Sequence, residues 1–126
     1  MELFKIADYI KKANPEPGKR LTQQILEKKA ENLIGLFGVL PSGGQIPYHF
    51  HNKRESVLIF ISGQAKELVE GKKIAVQADD ILFIPAKQKH GILNDSDKEL
   101  RYIEFQVGKP DEPDMVQVEW QESQKV

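Results

Sequence analysis

The chain has 126 residues, 40% of them hydrophobic and 29% charged, with a formal net charge of −1, which is the profile of one ordinary globular domain able to bury a core without covalent staples. It contains no cysteine, so disulfides, thiolate metal sites and a cysteine nucleophile are excluded and any metal must be held by His, Asp or Glu. The balanced charge offers no field for nucleic acid, and the longest uninterrupted apolar run, Val57 to Ile61, is far short of the roughly 18 residues that cross a bilayer.

The first predicted element is a short helix over 3–12, where Leu3, Ile6, Ala7 and Ile10 recur at helical spacing before Asn14-Pro15-Glu16-Pro17-Gly18 ends it. Glu2, Asp8 and Lys11 break up any leader-like start, so a cytoplasmic protein is expected. From there the pattern is short strands: 21–27, 32–40, 45–51, 57–61, 65–69, 73–77, 80–84, 90–93 and 100–107, separated by Gly, Pro and Asx turns. This spacing predicts an all-β sandwich or barrel, and without βαβ alternation Rossmann and P-loop readings fall away. Residues 108–126 open with Pro110 and Pro113 and carry one strand-like run, 115–120. We read them as an arm laid over the barrel or a partner, or as a frayed tail.

Three histidines are present, and two form His49-Phe50-His51 within a predicted strand. Side chains two apart in a strand share a face, so both imidazoles point one way while Tyr48 and Phe50 point the other. That geometry can hold a metal between two ring nitrogens. His90 follows Ile81-Leu82-Phe83-Ile84-Pro85 in another strand context, a distant third ligand that a barrel interior can supply.

These residues resemble the two motifs of a small single-domain cupin. In the first, Gly43, His49, His51 and Glu55 fall at motif spacing and Gly63 follows one residue late; in the second, Pro85, His90 and Asn94 are in register while Asp79 and Lys87 stand where the motif has glycine. The likeness covers about residues 30–107. It implies a jelly-roll, or double-stranded β-helix, barrel with a short N-terminal helix, residues 1–126 forming one domain with 108–126 as its C-terminal arm. It further implies one divalent cation (Fe, Mn, Ni, Cu or Zn) held by His49, His51, Glu55 and His90. Counting forward from His51 puts Glu55 at the carboxylate position; counting back from Gly63 puts Ser56 there. A bulge reconciles the counts, and without one Glu55 faces away and a three-His site remains.

The run from Val57 to Ile61 is apolar on both parities, so the barrel's outside must be covered there, by the N-terminal segment or by a second subunit. A homodimer is the preferred expectation. Tyr102, Glu104 and Gln106 alternate with Ile103, Phe105 and Val107; the polar set faces solvent or lines the cavity, with solvent preferred. Tyr48, Phe50 and Phe83 are read as core before pocket lining, Lys87 and Lys89 as surface residues before anion contacts, and Asn94 as a loop-stabilising residue.

The function that follows from the resemblance is a mononuclear metal enzyme acting on a small organic molecule, by a dioxygenase-, isomerase- or lyase-like reaction. The alternative is a non-catalytic module that binds or senses a small ligand. No helix-turn-helix region accompanies it, and a storage role suits the short chain poorly. Neutral imidazole is the ligating form, so metal affinity is expected to fall as pH drops through about 6.5.

Overall fold

A computed structural model describes residues 1–109 and 113–122. Among these residues ten strands follow a single helix: α1 (Ile6–Ala13), β1 (Leu21–Ile25), β2 (Leu33–Leu40), β3 (Gln45–His51), β4 (Glu55–Ser62), β5 (Gln64–Val69), β6 (Lys72–Gln77), β7 (Ile81–Ile84), β8 (His90–Leu93), β9 (Leu100–Val107) and β10 (Met115–Gln117). All pair antiparallel in two five-stranded sheets, ordered β1-β2-β9-β4-β7 and β10-β3-β8-β5-β6. This is the double-stranded β-helix expected from the motifs. Among the described residues no helix is long and apolar enough to cross a membrane.

Local chemistry sets the corners. The β5–β6 hairpin turns on Glu70 (φ 46°) and Gly71 (φ 78°), two left-handed residues that match the twist of the paired strands. Helix α1 starts at Ile6, three residues later than its periodicity suggests, and ends where Asn14 adopts φ 47° and donates its N–H to Ile10 O. No residue of α1 is buried. Its link to the barrel runs through Tyr9, whose hydroxyl accepts the Leu26 N–H at 3.1 Å.

Inside the barrel, one end is an apolar plug of Leu40, Leu58, Phe60, Ala65, Val76, Ile84, Ile92, Leu100 and Tyr102; each large apolar side chain buried this way contributes roughly 1.5–3 kcal/mol. Tyr102 lies over Gly38, its cross-strand partner, and a Cβ there would overlap its ring. The inward rows read directly from the register: Leu36, Glu104, Leu58 and Leu82 form one, and Ile34, Gln106, Ser56 and Ile84 the next.

That register corrects the reading of the last barrel strand. Tyr102 (4% exposed) and Gln106 (8%) are buried, and Glu104 shares their parity, so the polar set faces the interior. Phe83 is corrected too: at 54% exposure it is neither core nor pocket wall but stands on the outer face. There the rows Ile81-Ile59-Ile103 and Phe83-Val57-Phe105 run across three strands. The N-terminal helix packs beside β1, at the edge of the sheet opposite β7, and leaves Ile81 and Phe83 exposed.

The C-terminal segment is laid on the barrel where it is described. Strand β10 pairs with β3, Val118 donates its N–H to Tyr48 O, and Trp120 meets the Tyr48 ring edge-on at 5.0 Å between centroids. Pro110 and the rest of 110–112, with 123–126, lie outside the described residues.

Candidate metal centre

The hydrogen-bonded pairing of β3 with β8 sets His49 opposite His90, and His51 follows on the same face of β3. The three rings converge: centroids are 4.3 Å apart for His49–His90, 5.0 Å for His49–His51 and 5.6 Å for His51–His90. One nitrogen from each lies within 4.8 Å of the others. All three are buried, at 7%, 4% and 4% exposure.

Hydrogen bonding decides which nitrogens are offered. His49 Nδ1 meets Pro47 O at 2.6 Å and His90 Nδ1 meets Gln88 O at 2.9 Å. A carbonyl only accepts, so both Nδ1 atoms carry the proton and both Nε2 atoms keep a free lone pair. His90 Nε2 is buried without a partner, and so are both nitrogens of His51. Buried polar atoms are rarely left unsatisfied, and a cation that takes nitrogen ligands would satisfy these imidazoles together. The donor set therefore fits a divalent metal.

Electrostatics prepares the same state. Burial, reinforced by the neighbouring His49, lowers the His51 pKa to about 4. Burial also lowers that of His90 to about 4, outweighing its bond to Gln88 O. Both rings are thus neutral well below the pH expected for exposed histidine, which moves the window of proton competition downward. Between pH 8 and 5.5 three solvated imidazoles of pKa about 6.5 would cost a metal site roughly a thousandfold in affinity. Here His51 and His90 contribute no such loss, and zinc affinity measured by competition with a chelator is expected to fall far less than that over the same range. A thousandfold fall overturns this ordering of the pKa values.

The structure does not bring Glu55 to the imidazoles. It is exposed at the start of β4, and the inward positions are Ser56, Leu58 and Phe60, at 1%, 2% and 1% exposure. A register shift does occur between Phe60 and Ser62, but it lies beyond this stretch and leaves the parity of 55–60 untouched. Ser56, the position reached by counting back from Gly63, points inward with its Oγ buried and unpartnered.

The two missing motif glycines cost the site nothing in shape. Asp79 has φ 74° and Lys87 φ 70°, the left-handed backbone that glycine serves most easily, and Lys87 donates its N–H to His51 O at 2.6 Å. Lys87 and Lys89 are both exposed. Asn94 ties the loop after β8 to β2: its Nδ2 donates to Leu40 O and Lys98 O, and its Oδ1 accepts from Ser96 N–H and Oγ–H. The turn after His51 is held from the arm, where the Asp114 carboxylate accepts the N–H groups of Asn52, Lys53 and Arg54 at 2.9–3.2 Å. Those bonds outweigh desolvation and keep its pKa below the usual carboxylate range.

Sequence reasoning missed Glu67. It stands at the inward parity of β5 between Ala65 and Val69, fully buried, and a lone charge on an otherwise apolar strand face was its only signal. A surface depression of about 430 Å³ around the β5–β6 hairpin and Asp95–Ser96 contains none of the histidines, so size alone does not locate this centre.

Fold and site together define a class, the antiparallel double-stranded β-helix with a metal-competent imidazole cluster inside. The chain belongs to the cupin family: the cupin domain model matches residues 36–106, more than half of its length. Among solved structures, an uncharacterized conserved protein with a double-stranded beta-helix domain from Klebsiella pneumoniae aligns with TM-score 0.78 and 19% identity, covering 94% of this chain and 98% of that one. A polyketide cyclase from Streptomyces resistomycificus aligns at TM-score 0.76 and 19% identity over 94% and 86%. A predicted oxalate decarboxylase from Thermotoga maritima aligns at 0.64 and 18% over 71% and 78%. At these identities the likeness carries the fold alone. A search of curated proteins finds no match.

Proposed function

We propose that this cupin is a mononuclear divalent-metal enzyme acting on a small organic molecule inside its barrel, with His49, His51 and His90 as the protein ligands. The observation that carries the reading is the set of buried ring nitrogens without partners. Three neutral imidazoles suit Fe, Mn, Ni, Cu or Zn and leave coordination positions open. A bound ion would supply Lewis-acid polarisation of a coordinated oxygen, a more acidic water, or a place to hold substrate beside dioxygen. The chain's own part is to fix the tautomers of His49 and His90 through Pro47 and Gln88, keep His51 and His90 neutral, and bury the cluster.

Metal analysis of the protein as isolated, then turnover assays with phenols, diketones, thiols and keto acids under air, tests the reading. About one ion per chain with turnover is expected. A protein that neither carries nor takes up any of these ions sinks it, and a loaded protein without turnover favours the ligand-binding alternative.

We further propose that a second copy covers the outer face of β7, β4 and β9, where Ile81 is 71% and Phe83 54% exposed. Contiguous apolar rows of this kind mark association surfaces. Sedimentation velocity is expected to give a dimer that Phe83→Asp converts to monomer; a wild-type monomer at tens of micromolar contradicts the proposal.

A further inference from the structure

Among the described residues Glu67 is the most deeply buried charged side chain, with 0% exposure, and neither of its carboxyl oxygens has a hydrogen-bond partner. Its place follows from the register. Glu67 pairs with Ile92 on β8, whereas Val69 pairs with His90, so the carboxyl lies one inward step, roughly 7 Å, further along the barrel than the imidazoles. Glu104 faces it from the other sheet. The Glu104 Oε2 accepts Gln106 Nε2–H at 3.0 Å, and Gln106 Oε1 in turn accepts from Arg54 Nη1 at 3.3 Å. Glu104 thus has a donor and Glu67 has none. Ser56 Oγ, one row nearer the imidazoles, is also buried and unpartnered. Ile92, Leu58 and Ile84 of the apolar plug stand level with these polar groups, and the rest of the plug lies beyond them.

Burial first, and the Glu104 charge second, push the Glu67 pKa well above the ordinary carboxyl range, which favours its protonated, hydrogen-bond-donating form. Two carboxyls set this close disfavour each other's ionisation, so such a floor combines acidic character and acceptor oxygens with an O–H donor on Glu67. Phosphate monoesters and dicarboxylates are repelled by it, an apolar compound leaves its oxygens unpaired, and an ammonium would have to sit close to a divalent cation. A neutral compound with O–H groups satisfies every atom.

We propose that Glu67, with Glu104 and Ser56, is the recognition floor for a neutral hydroxyl-bearing compound such as a phenol, vicinal diol or polyol, with Glu67 donating a hydrogen bond to one of its oxygens. The inference deepens the enzyme reading and rests on it only for the opposite wall of the site, where the imidazoles stand.

The test is calorimetric titration of the metal-free and zinc-loaded protein with catechol, pyrogallol and myo-inositol, and with oxalate and glycerol 3-phosphate. The metal-free wild type is expected to bind at least one of the three neutral compounds and neither anion. Glu67→Leu, which replaces unpaired oxygens with a matching apolar volume, is expected to melt no lower than wild type while weakening that binding at least fivefold; Glu67→Gln, which keeps the shape and a donor, is expected to restore it. The proposal is overturned if no neutral compound binds, if either anion binds as tightly, if the leucine variant loses less than fivefold, or if glutamine fails to rescue. Failure of zinc to bind strikes the metal reading alone, since the floor is read in the metal-free arm.

Discussion

His51→Ala is expected to abolish stoichiometric metal binding while leaving the barrel folded. Losing an outer-shell partner of a metal ligand typically costs 10–100-fold in affinity, so losing one of three ligands costs more than roughly a hundredfold. The choice of His51 matters because neither ring nitrogen bonds to the protein. Truncation orphans no partner, unlike His49 or His90, whose removal strands the carbonyls of Pro47 and Gln88. Zinc or iron per chain, measured by mass spectrometry after dialysis, is the readout, with the thermal midpoint as the folding control. Glu55→Gln is the companion: an exposed carboxylate facing away from the rings leaves affinity within about twofold, where a charged ligand would lose far more. A metal-replete His51→Ala variant, or a Glu55→Gln variant emptied of metal, breaks the three-imidazole assignment.

Gly63→Ala is expected to cost about 3 kcal/mol of stability. Gly63 turns the chain from β4 into β5 at φ 86°, where a left-handed alanine costs roughly 1–2 kcal/mol. Its added Cβ would also collide with the Glu99 carbonyl oxygen and stand 3.1 Å from Leu100 Cα. Both belong to the backbone leading into β9 and cannot rotate aside, and overpacking of this kind typically costs about 1–3 kcal/mol more. The thermal midpoint should drop by roughly 10 °C. Gly18→Ala separates the two causes: Gly18 has φ 75°, but a Cβ added there would meet nothing within 4 Å, so only the conformational part, about 1–2 kcal/mol, applies. Equal losses at the two glycines refute the packing argument.

Much of the barrel was legible because strand signals are local. The runs 45–51, 90–93 and 100–107 match the observed strands end for end, since alternation, β-branched residues and flanking turns are properties of neighbouring residues. The shared face of His49 and His51 follows from the same period of two. Glu55 was ambiguous for an equally local reason: Val57 to Ile61 is apolar on both parities, so nothing nearby says which of Glu55 and Ser56 points inward. Glu104 and Gln106 were misread because polar alternation is the same pattern whether the polar face meets water or the inside of a barrel. Only the pairing of β9 between β2 and β4 separates the two.

By itself the amino-acid order determined the succession of strands and turns, the absence of thiol chemistry and the shared face of the histidine pair, because each depends on a few bonded neighbours. The tertiary structure decided that His90 meets that pair across β3 and β8, that Ser56 takes the interior place beside Glu55, and that Glu67 and Glu104 face one another from opposite sheets. Those outcomes depend on register and closure, which join residues dozens of positions apart, and no local pattern carries that information.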